Sequence, residues 1–273
     1  MSRAPRVAPA LIVGRDAPAT LRALQPEIHI GPVDLQTFGI CFALGFLAAG
    51  AVLSRRLREL RKPPDWAYEM VFAALIGGLV GARIDYVIEN WDEVSGDLFG
   101  NIFSGTGLVW LGGVVGGTLG VILWARWRGW LTAQMLDTSS IALALGYPIG
   151  RIGCQLSGDG DYGIASDLPW AMDYPEGTVP TTDEVHPTPV YETLAMGVVT
   201  LVLWHLRDRF APGVLLGLYF TLAGTERFLI EIIRRNDSVV GGLTLPQLIS
   251  LGMIALGAAI IWSRRNVPRP ATA

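Results

Sequence analysis

Seven apolar stretches run through this chain, each close to the ~20 residues that a helix needs to cross the hydrocarbon core of a bilayer. Of its 273 residues 51% are hydrophobic and only 16% are charged, so one soluble core cannot hide the apolar surface. The pattern predicts an all-α membrane protein of a single domain. Its predicted transmembrane helices cover 35–53, 67–88, 107–125, 133–150, 189–206, 212–232 and 245–262.

The charges between these stretches predict the orientation of the helices. Arginines cluster in the first, third and fifth connections, as at Arg56, whereas 89–106 and 154–188 are acidic and contain no lysine or arginine. Positive loops stay in the cytoplasm, which predicts an outer N-terminus and an inner C-terminus. Only the sixth connection, with Arg234 and Arg235, departs from this rule. The predicted parts are an outer arm (1–34), a seven-helix transmembrane domain (35–262) with a long outer loop (154–188), and a cytoplasmic tail (263–273).

One arginine, Arg151, lies where the fourth apolar stretch gives way to a glycine-rich, acidic segment, within Gly150-Arg151-Ile152-Gly153-Cys154. A guanidinium at the edge of the hydrocarbon is costly unless it meets an anion, and its planar fork of donors suits a phosphate or a carboxylate. The neighbouring glycines let a ligand approach the backbone. Two interpretations stay open: an anion-binding site, or a turn whose arginine reaches the interface and pairs with Asp159 or Asp161.

Further charged residues fall inside the predicted helices, where they indicate function by default. In the sixth helix Arg227 and Glu231 are four residues apart, so they share one face and can pair. The pair is either a structural salt bridge or a device by which Glu231 aims Arg227 at an anion shared with Arg151. The second interpretation predicts that the two guanidiniums lie within about 10 Å of each other. In the second helix, Arg83 either binds substrate or reaches the outer interface.

Two other motifs each allow a structural and a functional interpretation. Gly112 and Gly113 begin a glycine-rich run in the third helix, which either packs against another helix or lets a lipid headgroup approach the backbone. The segment His186-Pro187-Thr188-Pro189-Val190-Tyr191-Glu192 opens the fifth helix. Because histidine titrates near neutral pH, His186 is a candidate general base, and its alternative role is that of a loop anchor.

Together these motifs resemble the prolipoprotein diacylglyceryl transferase family of bacterial inner-membrane enzymes. The resemblance covers about Gly31 to Trp262. It rests on five blocks in this order: Gly81 to Val87, Gly112-Gly113, Gly150 to Gly153, His186 to Glu192, and Arg227 to Glu231.

The resemblance implies a multi-pass enzyme that transfers a diacylglyceryl group from phosphatidylglycerol to the lipobox cysteine of a preprolipoprotein signal peptide. A thioether forms and glycerol phosphate is released. The implied partners are that lipid, that peptide and membrane lipids, without nucleic acid, and the chemistry requires no cofactor or metal. Arg151 and Arg227 match the family's two essential arginines. The other catalytic candidates are Asp159, Asp161 and His186, and the substrate-binding candidates are Arg83, Gly112, Gly113, Gly153, Tyr191, Glu192 and Glu231.

Three residues depart from the family pattern. Leu111 stands where members usually carry a histidine, Phe38 where they carry a tyrosine, and Cys154 where they carry an asparagine. Since a leucine cannot accept a proton from a thiol, one of the other catalytic candidates must be the base. The alternative is a divergent paralogue that binds phospholipid or lipoprotein precursor without catalysis, or that modifies another acceptor.

Overall fold

The computed structural model describes residues 26–30, 33–94 and 109–268. These ranges contain seven helices of 18 residues or more and three two-stranded antiparallel hairpins. The helices are α1 (Thr37–Glu59), α2 (Trp66–Glu89), α3 (Trp110–Trp127), α4 (Ala133–Ser157), α5 (Thr188–Leu206), α6 (Val214–Glu231) and α7 (Leu245–Arg264). The strands are β1 (Glu27–Ile30), β2 (Val33–Gln36), β3 (Met172–Tyr174), β4 (Thr181–Val185), β5 (Ser238–Val240) and β6 (Leu243–Thr244), and a single helical turn, Trp91–Val94, follows α2.

Four helices, α1, α2, α5 and α7, are long and apolar enough to cross a bilayer. Large apolar side chains such as Phe42, Leu123 and Leu201 lie exposed on the outer faces of the bundle, where hydrocarbon would cover them. The helical fold is therefore that of a membrane protein, as predicted. That all seven helices span the bilayer, and with which orientation, remains a prediction.

Helix α4 differs most from its prediction, because it continues for about two turns beyond the predicted end at 150 and carries Arg151 within it. Pro148 does not end the helix. Its missing N–H leaves the Ala144 carbonyl without its helical partner, and the Thr200 hydroxyl of α5 donates to that carbonyl at 2.6 Å. The helix ends at Ser157, and Gly158, whose φ of 57° is left-handed, caps it. The loop between α4 and α5, for which we keep the name outer loop, therefore begins there and not at 154, and its outward orientation remains a prediction.

The start of the first helix also differs from its prediction. Helix α1 begins at Thr37 and not at 35, because β2 pairs with β1 in a hairpin that precedes it. The backbone N–H and the hydroxyl of Thr37 both donate to the Pro26 carbonyl, at 2.9 and 3.0 Å. The predicted outer arm thus contains a short hairpin. Residues 1–25 of the arm, the predicted start of the third helix at 107, and 269–273 of the tail lie outside the described residues.

Carboxylates of neighbouring helices bind the N-termini of α3 and α6. Asp85 of α2 accepts a hydrogen bond from the Gly112 N–H at 2.8 Å. Asp137 of α4 accepts from the N–H groups of Gly213 and Leu216, at 2.7 and 2.9 Å. The first turn of a helix has unpaired N–H groups and partial positive charge, so these contacts fix α3 on α2 and α6 on α4.

Helices α2 and α3 pack backbone to backbone. A Cβ atom added to Gly81 would lie 2.2 Å from the carbonyl oxygen of Gly112, and one added to Gly116 would lie 2.2 Å from that of Gly77. Only glycine allows this approach, as in other small-residue helix interfaces. Gly112 therefore has the helix-packing role that was one of its two interpretations. A role for Gly112 and Gly113 in substrate binding remains a prediction. Helix α4 is the central helix, in contact with α1, α5 and α6.

Candidate active site

Three arginines and three carboxylates meet where α4 and α6 end and α5 begins. This end of the bundle is opposite to the one that holds the arginine-rich connections. We call the group the arginine cluster. It consists of Arg151 (α4), Asp161 (outer loop), Glu192 (α5), Arg227 and Glu231 (α6), and Arg234, which follows α6.

Glu192 occupies the centre of the cluster, and its side chain is fully buried. Nε of Arg151 lies 2.9 Å from one carboxylate oxygen, and Nη1 of Arg227 lies 3.1 Å from the other. The Tyr147 hydroxyl donates to the same carboxylate at 3.1 Å. Because both guanidiniums contact a single carboxylate, they lie within the ~10 Å that was predicted. The predicted proximity of the two guanidiniums is confirmed, while their binding of a substrate anion at the outer face remains a prediction.

Glu231 holds Arg227 from the other side. Nη2 of Arg227 lies 2.8 Å from the Glu231 carboxylate, so the predicted pairing four residues apart is present. Glu231 also accepts hydrogen bonds from the Asn236 amide at 2.6 Å and from the Thr244 hydroxyl at 2.8 Å. These contacts tie the end of α6 to the start of α7 and direct Arg227 toward Glu192.

Asp161 joins the outer loop to the cluster, since both Arg151 and Arg234 bind its carboxylate. Burial alone would raise the pKa of Asp161, but the charges and hydrogen bonds of the two arginines outweigh it, so the pKa is lowered. The loop must pass close to α6 here, because a Cβ on Gly163 would lie 2.4 Å from the Ile233 carbonyl oxygen.

Arg234 belongs to the cluster although it was not predicted to be a site residue. The available signal was its position, three residues after Glu231 and in the one connection that breaks the charge rule. Its partner Asp161 is 73 residues earlier in the chain, so no local pattern links the two.

Asp159 lies beside Cys154. Sγ of Cys154 and one carboxylate oxygen each of Asp159 and Asp161 are all within 4.8 Å of one another. Burial raises the pKa of Asp159, and a hydrogen bond from the Cys154 thiol opposes that shift only in part. Nη1 of Arg151 lies 3.8 Å from Sγ of Cys154. This positive charge disfavours a metal cation at the three residues. The arrangement suits proton transfer at Asp159 better than at Asp161.

His186 is held at the edge of the outer loop. Its Nδ1 is 3.4 Å from the Tyr191 hydroxyl, which accepts a hydrogen bond from the Trp170 indole at 2.8 Å. Its backbone exchanges hydrogen bonds with Gly163 and Ile164, at 2.8 and 3.1 Å. These contacts fit the loop-anchor interpretation. Within the part of the chain that the structure describes, no hydrogen bond joins the imidazole to the arginine cluster.

The remaining candidates lie outside the arginine cluster. Arg83 is buried, and its guanidinium lies 4.9 Å from the centroid of the Tyr86 ring. Gly153 faces α1, where an added Cβ would lie 3.3 Å from Cα of Phe38. Leu111 is exposed in the first turn of α3. Roles for Arg83 and Gly153 in substrate binding remain predictions.

Comparison with known proteins gives the family. The family model for prolipoprotein diacylglyceryl transferase matches residues 26–263. Relatives named phosphatidylglycerol–prolipoprotein diacylglyceryl transferase include that of Gloeobacter violaceus, which is 31% identical over 261 residues, covering 89% of this chain and 94% of the relative. The relative from Chromohalobacter salexigens is 31% identical over 251 residues, with 88% and 92% covered. The relative from Leptospira interrogans is 29% identical over 242 residues, with 79% and 76% covered.

These matches extend over most of the chain, and the family model runs from the start of the first hairpin almost to the end of α7. The relatives bear the name of a transferase, and the motifs that first indicated the resemblance supply four of the six residues of the arginine cluster, Arg151, Glu192, Arg227 and Glu231. The chain belongs to the prolipoprotein diacylglyceryl transferase family.

Proposed function

We propose that this protein transfers a diacylglyceryl group from phosphatidylglycerol to the lipobox cysteine of a preprolipoprotein. The reaction takes place at the outer face of a bacterial inner membrane that all seven helices span, with the N-terminus outside. The names of its relatives support the transfer reaction and its two substrates. The observation that carries it is the convergence of Arg151 and Arg227 on the buried Glu192.

In this reaction the acceptor sulfur attacks the carbon of the diacylglyceryl group that is bonded to a phosphate oxygen. The S–C bond forms, the C–O bond breaks, and the phosphate keeps the electron pair and leaves as glycerol phosphate. The thiol proton passes to a base. Negative charge grows on the phosphate oxygens, so guanidinium groups fixed at a dry site stabilise the transition state.

The cluster retains hydrogen-bond donors for such a phosphate. Among the described residues, Nη2 of Arg151 and Nε of Arg227 have no hydrogen-bond partner. The arginine nitrogens that face Glu192 Oε2 and Glu231 Oε2, at 2.9 and 2.8 Å, make no well-aligned hydrogen bond to them. The carboxylates thus orient the guanidiniums without using all of their donors, and the free donors are the groups that we propose to bind the phosphate.

Asp159 is the base that we favour. Burial raises the pKa of Asp159 toward that of a thiol, whereas Arg151 and Arg234 lower the pKa of Asp161. A base whose pKa is closer to that of the thiol accepts its proton more readily. Asp159 also lies in the same loop segment as Asp161, beside the proposed phosphate site. His186 is the alternative base.

The test is direct transfer. Membranes containing the protein are incubated with phosphatidylglycerol labelled in its diacylglyceryl part and a lipobox peptide, with a Cys→Ser peptide as control. We expect label on the cysteine-containing peptide alone. No transfer by correctly inserted protein would overturn the proposal.

Leu111 favours a second candidate function, because the usual histidine is missing there. In that case the protein binds phospholipid or lipoprotein precursor without catalysis. Retention of labelled lipid or peptide on the purified protein, with no label transferred, would support this candidate.

A further inference from the structure

A polar cleft of about 360 Å³ opens beside the arginine cluster, and the reaction as proposed gives it no role. Gly160, Tyr162, Arg234, Arg235 and Asn236 line it. Its volume is at the lower end of the ~300–1,000 Å³ typical of small-molecule sites. Because Arg235 and Asn236 are exposed, the cleft opens to water rather than to hydrocarbon.

Arg235 brings to this cleft a positive charge that no carboxylate of the described chain pairs with. Its guanidinium lies 4.2 Å from the centroid of the Tyr162 ring, and Nη2 donates to the Gly160 carbonyl at 3.4 Å. Stacking on the ring fixes the position of the guanidinium but leaves N–H donors on its edge available to an anion.

Two walls of the cleft also belong to the proposed catalytic region. Arg234 binds the Asp161 carboxylate, which Arg151 binds as well. The amide of Asn236 donates to Glu231 at 2.6 Å. Positive groups therefore follow one another from Arg151 through Arg234 to Arg235, from the buried cluster to the aqueous face.

We infer that this cleft binds a phosphate monoester and releases it to water. The inference rests on the proposed function, whose leaving group, glycerol phosphate, is small, doubly charged and unable to leave through hydrocarbon. Successive guanidiniums give such an anion a favourable path, and the exposed Arg235 keeps the last site weak enough for release.

The test compares Arg235→Gln with wild type, using soluble glycerol phosphate as the probe. Arg265→Gln is the matched control, since Arg265 lies 3.6 Å from the centroid of the Trp262 ring at the far end of the bundle. We expect calorimetry on purified protein to show binding that weakens about tenfold in Arg235→Gln, the usual effect of losing one charge-assisted hydrogen bond. Arg265→Gln should bind like wild type. Inhibition of transfer by added glycerol phosphate should weaken by a similar factor in Arg235→Gln.

Thermal unfolding separates binding from a structural role of Arg235 in holding the loop. Weaker binding at an unchanged Tm supports the cleft, whereas weaker binding accompanied by a lower Tm in both Arg235→Gln and Arg235→Lys overturns it. Equal binding of glycerol phosphate by wild type and Arg235→Gln also overturns it.

A parallel titration with phosphatidylglycerol in nanodiscs distinguishes the product from the donor headgroup. If Arg235→Gln weakens only the binding of the lipid, the cleft serves the donor and the inference is wrong. Calorimetry does not require turnover, so the two proposals can fail separately. Absence of transfer defeats the proposed function, whereas transfer without an effect of Arg235 on glycerol phosphate defeats only the cleft.

Discussion

Arginines gather at both ends of the helical bundle, but their surroundings differ. At the end with the arginine-rich connections, Arg56 lies 2.8 Å from Glu59 and 2.7 Å from Asp208, and the side chains of these acids are 29% and 55% exposed. At the opposite end, the side chain of Glu192 is fully buried between Arg151 and Arg227.

The difference shows which arginines require a functional explanation. A pair whose carboxylate is exposed contributes about 0–1 kcal/mol, and the positive charge at this end is the basis of the predicted orientation in the membrane. A buried pair must offset a desolvation penalty of several kcal/mol per ion, which hydrophobic residues of similar size would avoid. The exposed end is thus explained by topology, and the buried end by the anion that it is proposed to bind.

The largest effect should come from removing an arginine of the buried end. We expect Arg151→Ala and Arg227→Ala each to lower transfer by at least ~10²–10³, because each removes a donor from the developing phosphate charge. Arg207→Ala, which removes an arginine of the exposed end, should leave the transfer rate near normal. The labelled-lipid assay on membranes with matched protein levels measures this.

Lysine tests the geometry of the same site. Arg151→Lys and Arg227→Lys keep the charge but lose the planar fork, so activity should remain low. Near-normal turnover of either variant would show that a point charge is sufficient and that the fork is irrelevant.

The next prediction compares the loss of one carboxylate at each end of the bundle. Glu192→Gln removes a fully buried carboxylate and leaves the partly buried guanidiniums of Arg151 and Arg227 without their shared counter-ion, which we expect to lower the free energy of unfolding by about 3–5 kcal/mol. Glu59→Gln removes a partly exposed partner of Arg56 and Arg207 and should cost about 0–1 kcal/mol. Thermal unfolding in detergent compares the two variants. Equal losses would mean that burial does not distinguish the two ends.

Much of the fold could be predicted because the signals are local. Apolar length located all seven helices, and the spacing of Arg227 and Glu231 predicted their ion pair. The errors have distant causes. Helix α4 continues past Pro148 because Thr200, on another helix, satisfies the freed carbonyl. Arg234 was not predicted because its partner is Asp161, which only the folded loop brings close to it.

The next prediction concerns the base at the buried end. A base must be deprotonated to act, so the rate should fall as the pH drops through its pKa. Because burial raises the pKa of Asp159, this limb should lie above the usual range for an aspartate. Asp159→Asn should lower the rate by about 10² and remove the limb. In this variant the remaining rate should increase as the pH approaches the free-thiol pKa of ~8.5, because the thiolate then forms without a base.

The matched controls are Asp161→Asn and His186→Gln. Neither should remove the acid limb, since Asp161 is paired with two arginines and His186 makes no described hydrogen bond to the cluster. Loss of the limb in His186→Gln alone would assign the base to the histidine. Wild-type pH profiles in all three variants would rule out a protein base among them.

Asp161 and Asp159 should also affect stability with opposite signs. The folded-state pKa of Asp161 is lowered, so its ion pairs contribute stability above its ordinary pKa, and this is lost as the pH falls. The pKa of Asp159 is raised, so its contribution is present at low pH and is lost as the pH rises. Relative to wild type, Asp161→Asn should flatten the acid loss of Tm, and Asp159→Asn should be relatively more stable near neutral pH.

The smallest effects should come from one glycine at each end. An added Cβ meets nothing within 4 Å at either Gly129 or Gly150, but Gly129 has a φ of 65°, which disfavours any side chain. Gly129→Ala should therefore cost about 1 kcal/mol and leave transfer intact. Gly150 is helical, so Gly150→Ala should stabilise the protein by about 0.5–1 kcal/mol. Its methyl group would fill open space one residue from Arg151, where the lipid phosphate is proposed to approach, so we expect a modest rise in KM for phosphatidylglycerol. An unchanged KM would mean that the open backbone beside Arg151 is not part of the lipid site.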